Sequence, residues 1–126
     1  MNLQQTAFAI YELMKSFSIL KITNCMTRLR LQLNTEDIAN LPLKELKNIP
    51  NVLGVNLNDN ELQIILGPGK VNEVTSEFKN YMQIKILKLM LKIQIKIQIT
   101  IKNNLAMPKN FINKSAKKML HLLNYY

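Results

Sequence analysis

The spacing of apolar residues changes several times along this chain, and each change marks an element. In NLQQTAFAIYELMK, Ala7, Ile10, Tyr11 and Met14 recur at helical spacing, which predicts an amphipathic helix ended by Ser16-Phe17-Ser18. ILKIT (19–23) alternates Ile, Lys and Ile and predicts a short strand. TRLRLQL (27–33) alternates without error, so Leu29, Leu31 and Leu33 fall on one face and Arg28, Arg30 and Gln32 on the other. That is the pattern of a half-buried strand in an antiparallel sheet. Asn24-Cys25-Met26, between the two runs, is the natural place for a tight connection.

Asn34, Thr35, Glu36 and Asp37 have the form of a helix start, a capping side chain followed by acids in the first turn. The pattern runs unevenly to Lys47, and Pro42 fits only in the first turn of a helix that begins there. NVLGVNL (51–57) and ELQIILG (61–67) flank the turn-rich triplet Asn58-Asp59-Asn60 and predict a hairpin. Gly67-Pro68-Gly69 breaks its second strand. KVNEVTSEFKNYM then sets Val71, Val74, Phe78 and Tyr81 on one helical face. The order helix, strand, strand, helix, strand, strand, helix predicts an α+β fold. Its expected form is a four-stranded, mainly antiparallel sheet with three helices packed on one face.

Composition changes the picture at residue 82. The net charge of +9 suggests a nucleic-acid binder until its distribution is examined. Residues 1–82 hold eight Lys/Arg and eight Asp/Glu; residues 83–126 hold the other nine of the 17 basic residues, all lysine, and no acid. The chain therefore divides into a neutral segment, 1–82, and a lysine- and isoleucine-rich low-complexity tail, 83–126. A lone cysteine excludes an internal disulfide framework, and one Cys and one His 96 positions apart make no recognisable zinc site. No bound metal or cofactor is expected. No secretory signal pattern and no run of about 18 uncharged apolar residues is evident, so the expected compartment is the reducing cytoplasm.

The candidate chemistry sits in ITNCMTRLRLQL (22–33), which holds the single cysteine and both arginines. A lone cysteine is ordinarily a small buried hydrophobe, and a pair of charged strand residues ordinarily makes a solvated face paired with acids. Here Cys25 falls at a strand end, where a loop exposes it. Arg28 and Arg30 leave one face about 6–7 Å apart. Guanidiniums beside a thiol favour the thiolate and offer paired donors to a phosphate. Thr27 adds a hydroxyl. The C-x5-R loop of cysteine-dependent phosphatases would need arginine at position 31, where Leu31 stands. GPGK does not satisfy the G-x-x-x-x-G-K-[ST] phosphate loop and predicts a turn into a helix. The free N–H groups of that helix start would let Gly67 and Gly69 border an anion site.

N-C-M-T-R-L-R-L (24–31), followed by L-Q-I-I-L-G-P-G-K-V (62–71), resembles the IIB domain of the bacterial phosphoenolpyruvate-dependent sugar phosphotransferase system. The likeness is to its glucose–sucrose group, near the N-acetylmuramic acid and sucrose permeases, and covers residues 3–82. It implies that Cys25 takes a phosphoryl group from a IIA phosphohistidine and passes it to a sugar held by the membrane IIC domain. It further implies that Thr27, Arg28 and Arg30 hold the phosphate and that the domain works at the inner face of the membrane through IIC; Met26, with Gly67 and Gly69, is expected at the border of the site. KSFSILKIT (15–23) lacks the glycines usual in the family, so an altered approach to the first strand is expected.

In the tail, Ile93, Ile95, Ile97, Ile99 and Ile101 alternate with Lys, Gln and Thr, which is a strand signal without an assigned partner. Three expectations compete for 83–126: lysines that bind anionic lipid or nucleic acid, a strand added to the sheet, or a disordered readthrough product of a frameshift. The abrupt loss of acids and the Ile/Lys/Asn/Gln bias favour the last, and no nucleic-acid partner is expected. The rival to a phosphocarrier is a catalytically idle IIB-like module that binds anionic surfaces through this tail. His121 is expected to serve packing or the surface.

Overall fold

The computed structural model describes residues 1–103. Its elements are α1 (Leu3–Met14), β1 (Ile19–Asn24), β2 (Arg28–Leu33), a 3-10 helix (Thr35–Asn40), α2 (Leu43–Lys47), β3 (Gly54–Asn58), β4 (Glu61–Ile65) and α3 (Val71–Lys102). The strands form one antiparallel sheet in the order β1-β2-β4-β3. This is the α+β arrangement expected from the element order. Residues 1–82 make one compact unit.

The sheet divides cleanly into an apolar and a polar face. Leu29, Leu31 and Leu33 are fully buried, and the register sets Leu29 opposite Ile64 and Leu31 opposite Leu62, which are buried as well. Ala7, Ile10 and Met14 of α1 and Val71, Val74 and Phe78 of α3 complete this core. Tyr11 and Tyr81 are half-buried beside it. They meet Phe8 in an aromatic group with ring centroids 5.4 Å (Phe8–Tyr81) and 5.5 Å (Tyr11–Tyr81) apart. β1 carries a register shift between Ile19 and Lys21, which lets both Ile19 and Ile22 turn inward.

Local chemistry fixes the element ends. α1 opens with a reciprocal cap: the Gln5 N–H donates to Asn2 Oδ1 at 2.8 Å, and the Asn2 N–H to Gln5 Oε1 at 3.0 Å. Asn34, expected to cap a helix through its side chain, makes no such bond. Its carbonyl instead accepts the Asp37 N–H at 3.0 Å in a 3-10 turn. A single α-helix from here to Lys47 is blocked because Leu41 precedes proline and is extended (φ −67°, ψ 139°); α2 starts after Pro42. The Asp37 carboxylate turns away and accepts the Ser18 N–H at 2.7 Å.

The hairpin β3–β4 is shorter than its apolar run. Asn51 is left-handed (φ 76°), and its amide donates to the Met1 carbonyl and to Thr6 Oγ1, each at 3.0 Å. Asn51 is therefore in a turn, Val52 and Leu53 are irregular, and the strand begins at Gly54. The two-residue connection Asp59-Asn60 places Asp59 at φ 53°.

The stretch expected to be a strand or disordered, 83–102, is helical and continues α3 to Lys102. It contains no Gly or Pro, and Lys, Leu, Met and Gln are good helix formers. The helix is already nucleated by Val71–Met82, so each added residue gains a hydrogen bond without a new nucleus. A strand, by contrast, would need a sheet edge for every N–H. A period-two pattern wound on a helix spreads its isoleucines around the circumference, and Leu87, Leu89, Leu91, Ile95, Ile99 and Ile101 are exposed. His121 and the remainder of the tail lie outside the described residues.

Candidate functional site

Cys25 is the first residue after β1, in the three-residue loop Cys25-Met26-Thr27 that leads into β2. The loop is held at both ends. The Cys25 N–H donates to the Arg28 carbonyl at 3.0 Å, closing the hairpin. The Thr27 carbonyl accepts two N–H groups from the segment after β4, Leu66 at 2.8 Å and Gly67 at 3.1 Å. Asn24, one residue before the thiol, donates through its amide to Asn72 Oδ1 in the first turn of α3 at 2.9 Å. The two sequence motifs thus meet, through backbone hydrogen bonds at Thr27 and a side-chain bond at Asn24.

The glycines expected at the border have a conformational reason. Gly67 and Gly69 are left-handed, with φ of 87° and 80°, a region where a Cβ is disfavoured. At Gly67 a Cβ would also stand 3.4 Å from Leu53 Cδ1. Gly67 is tied to Thr27, whereas Gly69 makes no contact that a Cβ would disturb. Met26, the residue after Cys25, is 80% exposed.

The Cys25 thiol is half-exposed and held below its ordinary pKa, at about 7. The backbone N–H of Thr27 contributes most. Desolvation opposes it, and the Arg30 guanidinium, the Arg28 N–H and the Thr27 hydroxyl add further lowering. Sγ lies 3.9 Å from Thr27 Oγ1. At neutral pH the sulfur is thus divided between thiol and thiolate, so the thiolate forms without a general base. Arg30 is raised in turn, first by its hydrogen bond to Cys25, against burial, then by the charges of Cys25 and Glu61.

The arginines do not act alike. Arg30 reaches toward the sulfur and also pairs with Glu61, Nη1 to Oε1 at 3.0 Å, so the expected strand-face ion pair is present for this residue. Arg28 donates from Nη1 to Gln63 Oε1 at 2.6 Å. Gln63 was not singled out from the sequence, yet it links the two: its Nε2 donates to the same Glu61 Oε1 at 2.7 Å. Asn56 adds a longer bond to Gln63 Oε1 at 3.4 Å. Gln63 is only 5% exposed and lies opposite Arg30 in the β2–β4 register. The signal was in the alternation: Leu62 and Ile64 face the core, so the glutamine between them must share the arginines' face.

No group of His, Cys, Asp or Glu that would suit a metal ion occurs among the described residues. Nor is any helix among them long and apolar enough to cross a membrane.

Comparisons with known proteins agree with this architecture. No protein-family model matches the chain. A crystal structure of one domain of the IIabc component of a phosphotransferase system from Clostridium difficile superposes with a TM-score of 0.55 at 31% identity. The match covers 62% of this chain and 80% of that one. The MurNAc-GlcNAc-specific EIIBC component of Staphylococcus haemolyticus is 54% identical over 56 residues, 44% of this chain and 11% of that protein. The N-acetylmuramic acid-specific EIIBC component of Vibrio cholerae is 53% identical over 55 residues, again 44% and 11%. The chain belongs to the IIB domain family of the bacterial sugar phosphotransferase system. It spans about a tenth of the length of these two curated relatives.

Proposed function

We propose that this protein is a phosphocarrier in which Cys25 is transiently phosphorylated. The observation that carries the proposal is a thiol lowered to about 7, at a loop end beside Thr27 and Arg30, in a domain of this family. In the first step the thiolate attacks the phosphorus of a phosphohistidine on a IIA domain. The S–P bond forms, the N–P bond breaks, and the imidazole leaves with its electron pair. In the second, a sugar hydroxyl attacks the same phosphorus, the S–P bond breaks, and the thiolate is regenerated as the hydroxyl proton passes to a base. Such transfers need chiefly positioning and neutralisation of the phosphoryl oxygens. In this proposal Thr27, Arg28 and Arg30 supply both. The low thiol pKa serves each direction, since a stabilised thiolate is also a good leaving group.

The acceptor would be a sugar bound by a membrane IIC domain, so the protein would work on the cytoplasmic side of that membrane. The names of the relatives point to sugars that contain N-acetylmuramic acid as the acceptor class. Incubation with a phosphorylated IIA protein should label the chain with an acid-labile phosphoryl group, and Cys25→Ser should remove the label entirely. Label that survives this substitution would sink the assignment.

A further inference from the structure

The part of α3 after Met82 carries a surface that phosphoryl transfer does not use. Residues 83–103 include five lysines, Lys85, Lys88, Lys92, Lys96 and Lys102, and no acid. Lys88, Lys92 and Lys96 follow one another at i+4 and are all exposed, so they form one row along the helix. Leu87, Leu91, Ile95 and Ile99 also follow at i+4, and this row borders the lysines. It is open to solvent: Leu91 is 62% exposed, Ile95 52% and Ile99 55%. Ile86 is buried and Met90, Ile93 and Ile97 are half-buried on another side of the helix, so the exposed apolar row is a distinct surface.

We infer that this helix face lies on an anionic lipid bilayer. The two rows fit the two layers of a membrane interface. Leucine and isoleucine enter the acyl boundary, while the lysine stems run along the apolar row and carry their ammonium groups out to lipid phosphates. A nucleic acid fits less well. The segment holds no arginine and no aromatic residue, the side chains that read base edges and stack on bases, and a row of bare leucine and isoleucine has no counterpart in a phosphate backbone. A second copy of the same face would set lysine rows of like charge beside each other. The helix does not need to cross the membrane, and it holds no stretch apolar enough to do so.

Flotation of the full chain with phosphatidylcholine vesicles, with and without phosphatidylglycerol, tests the inference. Binding is expected only when phosphatidylglycerol is present, and it should fall steeply with added salt. Replacing Lys88, Lys92 and Lys96 together with glutamine should weaken partitioning on the order of a hundredfold, since each lysine contributes about fivefold, or roughly 1 kcal/mol. Replacing Leu91, Ile95 and Ile99 together with glutamine, at unchanged charge, should also abolish flotation. The pH profile of Cys25 alkylation, read in the same samples, reports that residues 1–82 remain folded. Equal binding to neutral vesicles would overturn the inference, as would flotation undiminished in either triple variant. A preference for single- or double-stranded DNA over anionic vesicles at equal ionic strength would overturn it too. The phosphocarrier proposal plays no part in this test.

Discussion

Residues 1–82 and residues 83–103 use apolar side chains in opposite ways. In β2 an alternating pattern buries every second residue: Leu29, Leu31 and Leu33 are inaccessible, and Arg28, Arg30 and Gln32 face outward. In the later part of α3 an equally regular alternation buries little, because the chain is helical and the period of two does not match its turn. The same pattern therefore means different things in the two regions, and the deciding factor is whether a partner strand exists. β2 has one on each side, β1 and β4. The first region spends its apolar surface on folding, and the second leaves Leu91, Ile95 and Ile99 open.

The sharpest way to break this contrast is to truncate one leucine of β2. Leu31→Ala empties a fully buried position opposite Leu62. It should cost about 2–5 kcal/mol in urea unfolding, the range for deleting a core leucine. A cost below that of an ordinary surface substitution would mean that β2 does not form the centre of the core.

On the polar face of the same sheet the expected effect is smaller. Gln63→Ala removes the acceptor of Arg28 and one donor to Glu61, leaving half-buried polar groups short of partners. A loss of about 1–3 kcal/mol is expected, together with weaker phosphoryl labelling of Cys25 as Arg28 loses its anchor. Labelling that is unchanged while stability falls would confine Gln63 to a structural role.

The helix–strand order, the α+β class and the faces of β2 were legible in the sequence because alternation and helical spacing are local properties. The Cys25 cluster was legible for the same reason: Cys25, Thr27, Arg28 and Arg30 are near neighbours in the chain. What escaped was non-local. Gln63 becomes part of the site only through the β2–β4 register. Glu61 becomes the partner of Arg30 by the same pairing across the sheet. Asn34 offered a capping signal, but the extended conformation imposed on Leu41 by Pro42 left a 3-10 turn. The strand signal of 93–101 failed for a related reason: alternation states a preference, and only a partner edge turns it into a strand.

Titration separates the two regions without altering their packing. Cys25 alkylation should rise with a midpoint near pH 7. In Arg30→Gln that midpoint should move upward yet stay below an ordinary thiol's, because the Thr27 N–H, the largest influence, remains. Linkage gives the sign for folding. A thiol lowered from 9.0 to about 7 releases its proton in the folded state first. The unfolded chain then binds more protons between those values, and the stabilisation from this group grows as pH rises through the window. It is lost as pH falls below about 7. An alkylation profile that does not move in Arg30→Gln would show that the guanidinium does not touch the sulfur.

The smallest expected effect bears most directly on the second region. Ile95→Ala removes a large apolar side chain, as Leu31→Ala does, but from a residue that is 52% exposed on a helix. Little apolar area returns to water, so the transfer loss is small. Alanine also exceeds isoleucine in helix propensity by a few tenths of a kcal/mol, which offsets that loss. The net change should lie within about 0.5 kcal/mol of zero, with helicity by circular dichroism equal or slightly higher. A cost comparable with that of Leu31→Ala would show that Ile95 serves as core and would remove the contrast between the two regions. A near-zero cost combined with weaker flotation on phosphatidylglycerol vesicles would place the value of this isoleucine in binding instead of folding.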